Sequence, residues 1–335
     1  MDLEYILQRA KAAPLAQRHN VAKEALQQCM LAALARQGLL ADVAFVGGTA
    51  LRIFHRLPRF SEDMDFVWMT PSSSDQLPKW SATLRKALAK IGLTVHLQTQ
   101  GPVQVDALVQ KRGYTIYVVA TSHAFTSFAR EGLQISLEID LDPPAHIEKE
   151  PLTLAIANNQ VTVPTLTLPS LMAGKLHILL TRKDREKGRD WYDYLWYRRN
   201  GVIPNVRQLQ SAIDQTSTGP EARYWMSYLR SRMLEVNWEN VQGDVSRFLE
   251  NKEEARQLDA RTLGQLTPYP DFETIRSELH RRKRSHPLLQ SDNPVLKDIE
   301  QAAMEGDESA IETRTALDVL RKKSQGETQA REPKT

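Results

Sequence analysis

The chain has 335 residues, with 44 Lys and Arg against 41 Asp and Glu, so its formal net charge is +3. This length predicts about two domains. The near-balanced charge excludes a protein coated with basic residues for nucleic-acid binding, although a local basic patch stays open. The single cysteine, Cys29, excludes an internal disulfide and a cysteine-rich zinc site. No apolar run is long enough for a membrane span and the acidic start is unlike a signal peptide, which predicts a cytoplasmic protein without a membrane partner.

In the first half of the chain, helical patterns give way to short strand patterns. Apolar residues first recur at helical spacing, and later runs are short, apolar or alternating. Turn signals such as Gly113 separate some of these runs and favour antiparallel pairing. The predicted helices are residues 3–12, 15–38, 49–55 and 74–91. The predicted strands are residues 43–46, 64–69, 93–98, 103–110, 114–120, 133–142, 152–157 and 161–164.

From Ser170 onward the pattern is almost wholly helical, and a polar tail follows. The predicted helices of this half are residues 170–186, 190–199, 205–214, 220–235, 238–251 and 271–284. Within the tail, a weak amphipathic helix is predicted at 308–323 and disorder at 325–335. The predicted organisation is a β-rich domain at 1–165 that includes the N-terminal helices, a helical domain at 166–290 and a partly disordered tail at 291–335.

The turn Gly47-Gly48-Thr49 joins a predicted strand to a predicted helix. The first backbone N–H groups of a helix point outward and attract anions. Gly47 and Gly48 have no Cβ, so a phosphate can approach their backbone closely. The hydroxyl of Thr49 is predicted to contact the same phosphate. The turn is therefore a candidate phosphate site.

Acidic residues on two later strands form a candidate metal site. Asp63 and Asp65 are two residues apart, so their side chains leave the same face of a strand. Neighbouring carboxylates repel each other, and a divalent cation between them removes that repulsion. The alternating run 134–142 places Glu138 and Asp140 on one face; we favour Glu138 as the third ligand, with Asp140 as the alternative. A phosphate site beside such carboxylates is what metal-assisted nucleotidyl transfer requires.

The motif Gly-Gly-Thr-Ala-Leu at 47–51, followed by Arg-Phe-Ser-Glu-Asp-Met-Asp-Phe at 59–66, resembles the AbiEii/AbiGii-type nucleotidyltransferase toxins, which include the MenT-like proteins. These belong to the polymerase-β-like nucleotidyltransferase superfamily, whose hallmark is Gly-Ser, then Asp-x-Asp and a later acidic residue. Thr49 replaces that serine, and the 13-residue spacer to Asp63 is slightly longer than usual. The resemblance implies an α+β nucleotidyltransferase fold, with a mixed β-sheet and flanking helices, followed by a helical C-terminal domain.

A second block supports the narrower family. Lys175 and the run Lys-Gly-Arg-Asp-Trp-Tyr-Asp-Tyr-Leu at 187–195 resemble the family's later Lys and Arg-Asp-x-x-Asp motifs. By this resemblance, Lys175 contacts nucleotide phosphates and Asp190 helps to hold the catalytic arrangement. Asp193 stays open between a role in the site and a salt bridge to Arg189 or a neighbouring helix.

Three further readings stay open in the sequence. Ser61 either supports Asp63 through a hydrogen bond or faces the nucleotide. The basic run 182–189 is either a solvated surface or a track for an RNA backbone, and the run 280–284 has the same two readings.

The resemblance implies a metal-dependent nucleotidyltransferase toxin of a type IV-like toxin–antitoxin or phage-defence system. An acceptor hydroxyl, with tRNA as the leading acceptor, would attack the α-phosphate of an NTP. Mg²⁺ is the implied metal, with Mn²⁺ as the alternative, and the implied partner is an antitoxin from a neighbouring gene. The alternatives are transfer to a small molecule or a protein, and an inactive nucleotide-binding module. The predicted site residues are Gly47, Gly48, Thr49, Ser61 and Lys175 for the nucleotide, Asp63, Asp65 and Glu138 for the metal, and Asp63, Asp65, Lys175 and Asp190 for catalysis.

Overall fold

The computed structural model describes residues 2–69, 77–100, 113–157, 159–182, 185–217, 219–281 and 293–329. The strand predicted at 103–110 and the last residues, 330–335, lie outside these ranges. So do the side chains of the whole basic run 280–284. Within the described part of the chain, no helix is both long and apolar enough to span a membrane.

The elements combine a mixed sheet with helices, as predicted. The helices are α1 (Leu3–Ala12), α2 (Arg18–Arg36), α3 (Gly47–His55), α4 (Leu77–Lys90), α5 (Leu168–Thr181), α6 (Gly188–Arg199), α7 (Val206–Thr216), α8 (Trp225–Met233), α9 (Trp238–Ser246), α10 (Ala260–Leu266), α11 (Phe272–Arg281), α12 (Pro294–Met304) and α13 (Glu308–Gln329). The strands are β1 (Val43–Val46), β2 (Met64–Trp68), β3 (Thr94–Gln100), β4 (Gly113–Thr121), β5 (Leu133–Asp140), β6 (Lys149–Ile156) and β7 (Asn159–Leu166).

The seven described strands form one sheet in the order β3-β4-β5-β2-β1-β7-β6. Four pairs of neighbouring strands are antiparallel: β3 with β4, β4 with β5, β1 with β2, and β6 with β7. Antiparallel pairing was expected among the later strands, although not for β1 with β2. In the centre, β2 runs parallel to β5, and β1 runs parallel to β7. This arrangement confirms the α+β fold with a mixed sheet and flanking helices.

One face of the sheet carries the main hydrophobic core. Alternate residues of β5, such as Leu137 and Ile139, are buried in it together with residues of α2 and α4. Phe66 of β2 lies with its ring centroid 5.1 Å from that of Phe45 and 5.0 Å from that of Trp80. Because side chains alternate between the faces of a strand, the polar residues between these apolar ones leave the opposite face. That opposite face carries the candidate site.

The described contacts divide the chain into two compact units. The first comprises Met1–Thr218 and Glu239–Leu258, and the second Gly219–Trp238 and Asp259–Thr335. The boundary predicted near residue 165 therefore falls inside the first unit. Residues on the two sides of position 165 belong to one unit because they bond to each other. Arg59, which precedes β2, forms a buried ion pair with Asp193 of α6.

The second unit has its own hydrophobic core, and part of the predicted polar tail contributes to it. Residues 294–304, predicted as part of a polar tail, form α12 instead. Val295, Leu296 and Ile299 recur on one face of that helix and are buried in a cluster with Phe272 of α11. The helix predicted at 308–323 lies within α13, which continues through 325–329, where disorder was predicted.

Candidate active site

Three predicted metal ligands come together on the open face of the central strands. Asp65 of β2 lies opposite Glu138 of β5 in the parallel register. Asp63 directly precedes β2, and the hydroxyl of Ser136 donates to its Oδ1 at 2.6 Å. Since residues two apart share a strand face, Asp63 and Asp65 project to the side on which Ser136 and Glu138 also lie. The pairing gives Asp140 a different partner, Val67.

The electrostatics of this group favour a bound cation. Burial, and then the charges of Glu138 and Asp63, raise the pKa of Asp65 to about 7, while Lys175 and Arg189 act in the opposite direction. Carboxylate oxygens are the ligands that Mg²⁺ prefers. As the side chains stand, no three His, Cys, Asp or Glu residues within the described ranges converge closely enough to enclose an ion. The donor chemistry nevertheless fits a hard divalent cation.

The glycine turn lies against the same carboxylates. Gly47 is the first residue of α3 and has a φ of +77°, in the left-handed region that glycine adopts without strain. A Cβ at Gly47 would collide with Oδ2 of Asp65, and a Cβ at Gly48 would collide with the guanidinium of Arg59. The close approach of the turn to these side chains therefore requires glycine at both positions.

This packing predicts a specific effect for Gly47→Ala. The backbone strain at a positive φ costs about 1–2 kcal/mol, and the new methyl group must also displace Asp65. We expect a matching loss of unfolding free energy in urea. We also expect at least a tenfold loss, on the order of 1.4 kcal/mol, in the nucleotidyl-transfer activity that the sequence resemblance implies. Gly38→Ala is the control, because Gly38 has a φ of +69° and nothing within 4 Å of its added Cβ. Comparable activity in the two variants would contradict the proposed contact with Asp65.

Thr49 forms a hydrogen bond within the protein, and Ser61 lies beside the glycine turn. Thr49 is fully buried, and its hydroxyl donates to the backbone carbonyl of Asp63. The predicted contact of this hydroxyl with a phosphate would require that bond to break. Ser61 lies beside Gly48, and its backbone carbonyl accepts a hydrogen bond of 3.1 Å from Gln27 of α2. The hydroxyl that supports Asp63 belongs to Ser136, which the alternation in β5 had placed on the correct face.

Lys175 and the Arg-Asp-x-x-Asp motif meet in a network of buried charges. Lys175 Nζ lies 2.6 Å from Asp190 Oδ1 and 3.0 Å from Asp193 Oδ2. Arg59 forms a two-point pair with Asp193, with N–O distances of 2.6 and 2.7 Å. Arg182 pairs with the other oxygen of Asp190. The network therefore ties the loop before β2 to helices α5 and α6.

These contacts hold Lys175 and Asp190 in their charged forms. Burial alone would raise the pKa of Asp190, but Lys175 and Arg182 outweigh it and lower that pKa to about 2. Burial would likewise lower the pKa of Lys175, but Asp190 and Asp193 raise it. Lys175 consequently keeps a positive charge beside the carboxylates of the sheet.

Of the partners considered for Asp193, the neighbouring helix is present through Lys175 of α5, whereas Arg189 is not the partner. Asp193 pairs with Arg59, which is 134 positions away, whereas Arg189 lies 3.3 Å from Glu62. Sequence spacing gives no information about a partner at such separation, so Arg59 was missed as part of the site. The only available signal was the position of Arg59 within the first motif block.

A cavity of about 490 Å³ joins these parts within the first unit. Its lining combines residues before and after position 165. The predicted site residues that line it are Gly47, Gly48, Asp65, Glu138 and Lys175. The predicted site residues outside its lining are Thr49, Ser61, Asp63 and Asp190. Thr49 and Asp190 instead contact other site residues, Asp63 and Lys175.

Part of the basic run 182–189 faces outward. Arg182 and Arg189 are used in ion pairs within the protein, with Asp190 and Glu62. The side chain of Arg185 is 82% exposed, and the nearby Arg247 is 65% exposed. The run therefore divides into a structural part and an exposed part.

Comparison with known proteins identifies the family. Two solved structures from Helicobacter pylori resemble the chain: JHP933 has 15% identity and a TM-score of 0.39, covering 93% of this chain and 95% of its own. The other, described provisionally as a nucleotidyltransferase, has 16% identity and a TM-score of 0.40. The match covers 94% of this chain and 98% of the other. No protein with curated annotation is significantly similar. The family model of the nucleotidyl transferase AbiEii toxin, type IV toxin–antitoxin system, matches residues 29–278. The chain therefore belongs to the AbiEii nucleotidyltransferase toxin family.

Proposed function

We propose that this chain transfers a nucleoside monophosphate from an NTP to an acceptor hydroxyl, with tRNA as the acceptor. A bond forms between the acceptor oxygen and the α-phosphate, the bond from the α- to the β-phosphate breaks, and pyrophosphate leaves. Family membership supports the reaction class. The observation that carries the proposal is that the glycine turn, Asp65, Glu138 and Lys175 line the same cavity.

Each of these groups has a role in the proposed reaction. The N–H groups at the start of α3 bind phosphate oxygens, and Lys175 supplies a positive charge beside them. Asp63, Asp65 and Glu138 hold the divalent metal, Mg²⁺ or Mn²⁺. When bound there, this ion neutralises phosphate charge and activates the attacking hydroxyl. Asp190 and Asp193 orient Lys175 through their ion pairs.

The exposed cations support an RNA acceptor over a small molecule. Arg185 and Arg247 are both exposed, and both contact Oδ1 of Asp244, at 3.4 and 3.2 Å. Binding to a phosphate backbone weakens steeply with salt, whereas transfer to a small neutral acceptor does not. A steep loss of RNA labelling between about 50 and 200 mM salt is therefore expected for this acceptor. We further propose a role in phage defence, with an antitoxin encoded by a neighbouring gene.

The direct test combines the protein with Mg²⁺, each α-labelled NTP in turn, and bulk tRNA. We expect label on the RNA and a loss of at least about 10²-fold in Asp63→Asn, the scale of losing a key electrostatic group. Asp214→Asn is the matched control, because Asp214 is exposed on α7. Expression should arrest growth, and Asp63→Asn should relieve that arrest.

Three outcomes would redirect the proposal. Equal RNA labelling by the parent and Asp63→Asn would exclude the carboxylate mechanism. Label on a protein instead of RNA would favour protein modification. Nucleotide binding without any transfer would favour an inactive binding module.

A further inference from the structure

The first unit contains a second cavity, of about 440 Å³, which the proposed mechanism does not use. Its lining includes His19 and Lys23 of α2, Arg130 and Glu131 from the segment before β5, and Gln134 of β5. It shares no lining residue with the first cavity, which the glycine turn lines. Its volume lies within the range of about 300–1,000 Å³ that is usual for ligand sites. The second cavity is therefore a separate candidate binding site.

The strand β5 fixes the order of the two cavities and Asp63. Gln134, Ser136 and Glu138 alternate with buried apolar residues, so their side chains leave the same face. Gln134 lines the second cavity and Glu138 lines the first. Between them, the hydroxyl of Ser136 donates to Oδ1 of Asp63 at 2.6 Å. Since a strand rises roughly 3.3 Å per residue, neighbours in this row are about 6.6 Å apart, and Asp63 lies between the two cavities and close to both.

Lys23 connects the second cavity to the loop that carries Asp63. Its Nζ lies 3.7 Å from Oε1 of Glu62, the residue before Asp63. Oε2 of the same carboxylate lies 3.3 Å from Arg189, so Glu62 divides its charge between two cations. The side chain of Lys23 is only 11% exposed, and a buried ammonium group requires anionic or hydrogen-bonding partners. An anion in the second cavity would supply such a partner.

The remaining charges of the lining also favour an anion. Arg130 is exposed and forms no ion pair with any carboxylate among the described residues. Nδ1 of His19 donates to the backbone carbonyl of Phe128 at 3.2 Å, which holds the ring at this cavity. Among the described residues of the lining, Glu131 is the only acid, against the cations Lys23 and Arg130. A planar guanidinium together with an ammonium group matches the oxygens of a phosphate.

The direction of the proposed reaction gives the two cavities different roles. In phosphoryl transfer, the attacking oxygen and the leaving group lie roughly in line, on opposite sides of the phosphorus atom. The groups proposed to bind the donor phosphates, the glycine turn and Lys175, line the first cavity. Pyrophosphate therefore leaves towards the first cavity, and the acceptor hydroxyl approaches from the side of Asp63 that faces away from it. Along β5, the second cavity lies on that side.

We infer that the second cavity binds a backbone phosphate of the RNA acceptor, next to the reacting hydroxyl, with Arg130 and Lys23 as its cationic contacts. This inference rests on the proposed function. The exposed guanidinium of Arg130 binds two phosphate oxygens, and Lys23 contributes positive charge from the buried wall. A protein or a small neutral acceptor has no phosphate to place here.

The test measures transfer of label from an α-labelled NTP to bulk tRNA by the full chain with Mg²⁺, together with RNA binding at several salt concentrations. In Arg130→Gln we expect the KM for RNA to rise about tenfold, the size of a lost charged hydrogen bond. The KM for the NTP should stay within about twofold of the parent. The slope of log affinity for RNA against log salt should become shallower by about 0.7–1, since one phosphate contact is lost. Lys23→Gln should change the same quantities in the same direction.

Three controls separate a phosphate contact from general damage. Arg130→Lys keeps the charge without the planar guanidinium, so it should restore the salt slope and only part of the affinity. Arg256→Gln removes a cation whose side chain is 78% exposed and which lines neither cavity. It should leave the KM for RNA within about twofold of the parent. Pyrophosphate competes for the first cavity, so its inhibition constant should be equal in the parent and in Arg130→Gln.

The inference and the proposed function fail in different ways. RNA labelling by the parent, with an unchanged KM and salt slope in both Arg130→Gln and Lys23→Gln, would overturn the inference and leave the proposed function standing. Equal rises in the KM for NTP and for RNA in Arg130→Gln would also overturn it. RNA binding that depends on Arg130 in a protein that transfers no label would support the inference and remove the proposed transfer. A parent protein that binds no RNA at all would overturn both.

Discussion

Glu138→Gln is expected to lower nucleotidyl transfer by at least about 10²-fold, because it removes a charged ligand from the proposed metal group. Asp140→Asn should leave the rate within about threefold of the parent. The two residues lie on the same face of β5, but the register places Glu138 opposite Asp65 and Asp140 opposite Val67. Asp140 also accepts a hydrogen bond of 3.0 Å from the backbone N–H of Asp142.

Initial rates measured across a range of Mg²⁺ concentrations would check this expectation. Glu138→Gln should need more Mg²⁺ for half of its maximal rate, whereas Asp140→Asn should follow the parent curve. A larger loss in Asp140→Asn than in Glu138→Gln would assign the third ligand to Asp140 and reject the argument from strand register.

The second large effect concerns the buried pair of Arg59 and Asp193. Asp193→Leu leaves the guanidinium of Arg59, which is almost completely buried, without its carboxylate. Removing one partner of a buried ion pair costs about 3–5 kcal/mol, since the remaining charge stays out of water. We expect a loss of that size in the free energy of unfolding, measured by urea denaturation.

Two further variants test the cause of this loss. In Arg59→Met/Asp193→Leu no unpaired guanidinium remains, so a large part of the stability should return. Transfer activity should stay low in that double variant, because Lys175 has lost one of its two carboxylate partners. Glu253→Gln breaks an exposed pair of Arg256 and Glu253 with the same N–O distance of 2.6 Å and should cost less than about 1 kcal/mol. If Asp193→Leu were as mild as Glu253→Gln, burial would not be the source of the effect.

Much of the fold follows from local pattern in the sequence. Alternation in β5 predicts both the buried row that includes Leu137 and the polar row that includes Glu138, because side-chain direction depends only on the strand period. The turn at Gly47 follows in the same way from an apolar run ended by two glycines. These features depend on neighbours along the chain, so the sequence suffices to predict them.

Contacts between residues that are far apart in the sequence cannot be predicted from such local patterns. The choice between Glu138 and Asp140 depends on the register of β5 against β2, which no spacing within one strand specifies. Asp193 could have paired with several cations, and its partner Arg59 follows only from the packed structure. The helix α12 was missed because its few apolar residues lie in a polar segment. Whether such residues form a core depends on what they pack against, and here they pack in a cluster with Phe272.

The contact between Gly48 and Arg59 has a consequence for how this protein can be recombined. The guanidinium packs where a Cβ of Gly48 would lie, and it is held there by Asp193, which also contacts Lys175. The two motif blocks are thus interlocked side chain by side chain, although they lie far apart in sequence. A chimera that joins residues 1–165 of this chain to the helical segment of a relative would keep this contact only if that segment places an aspartate where Asp193 lies. Functional hybrids should therefore require two blocks that match at this contact.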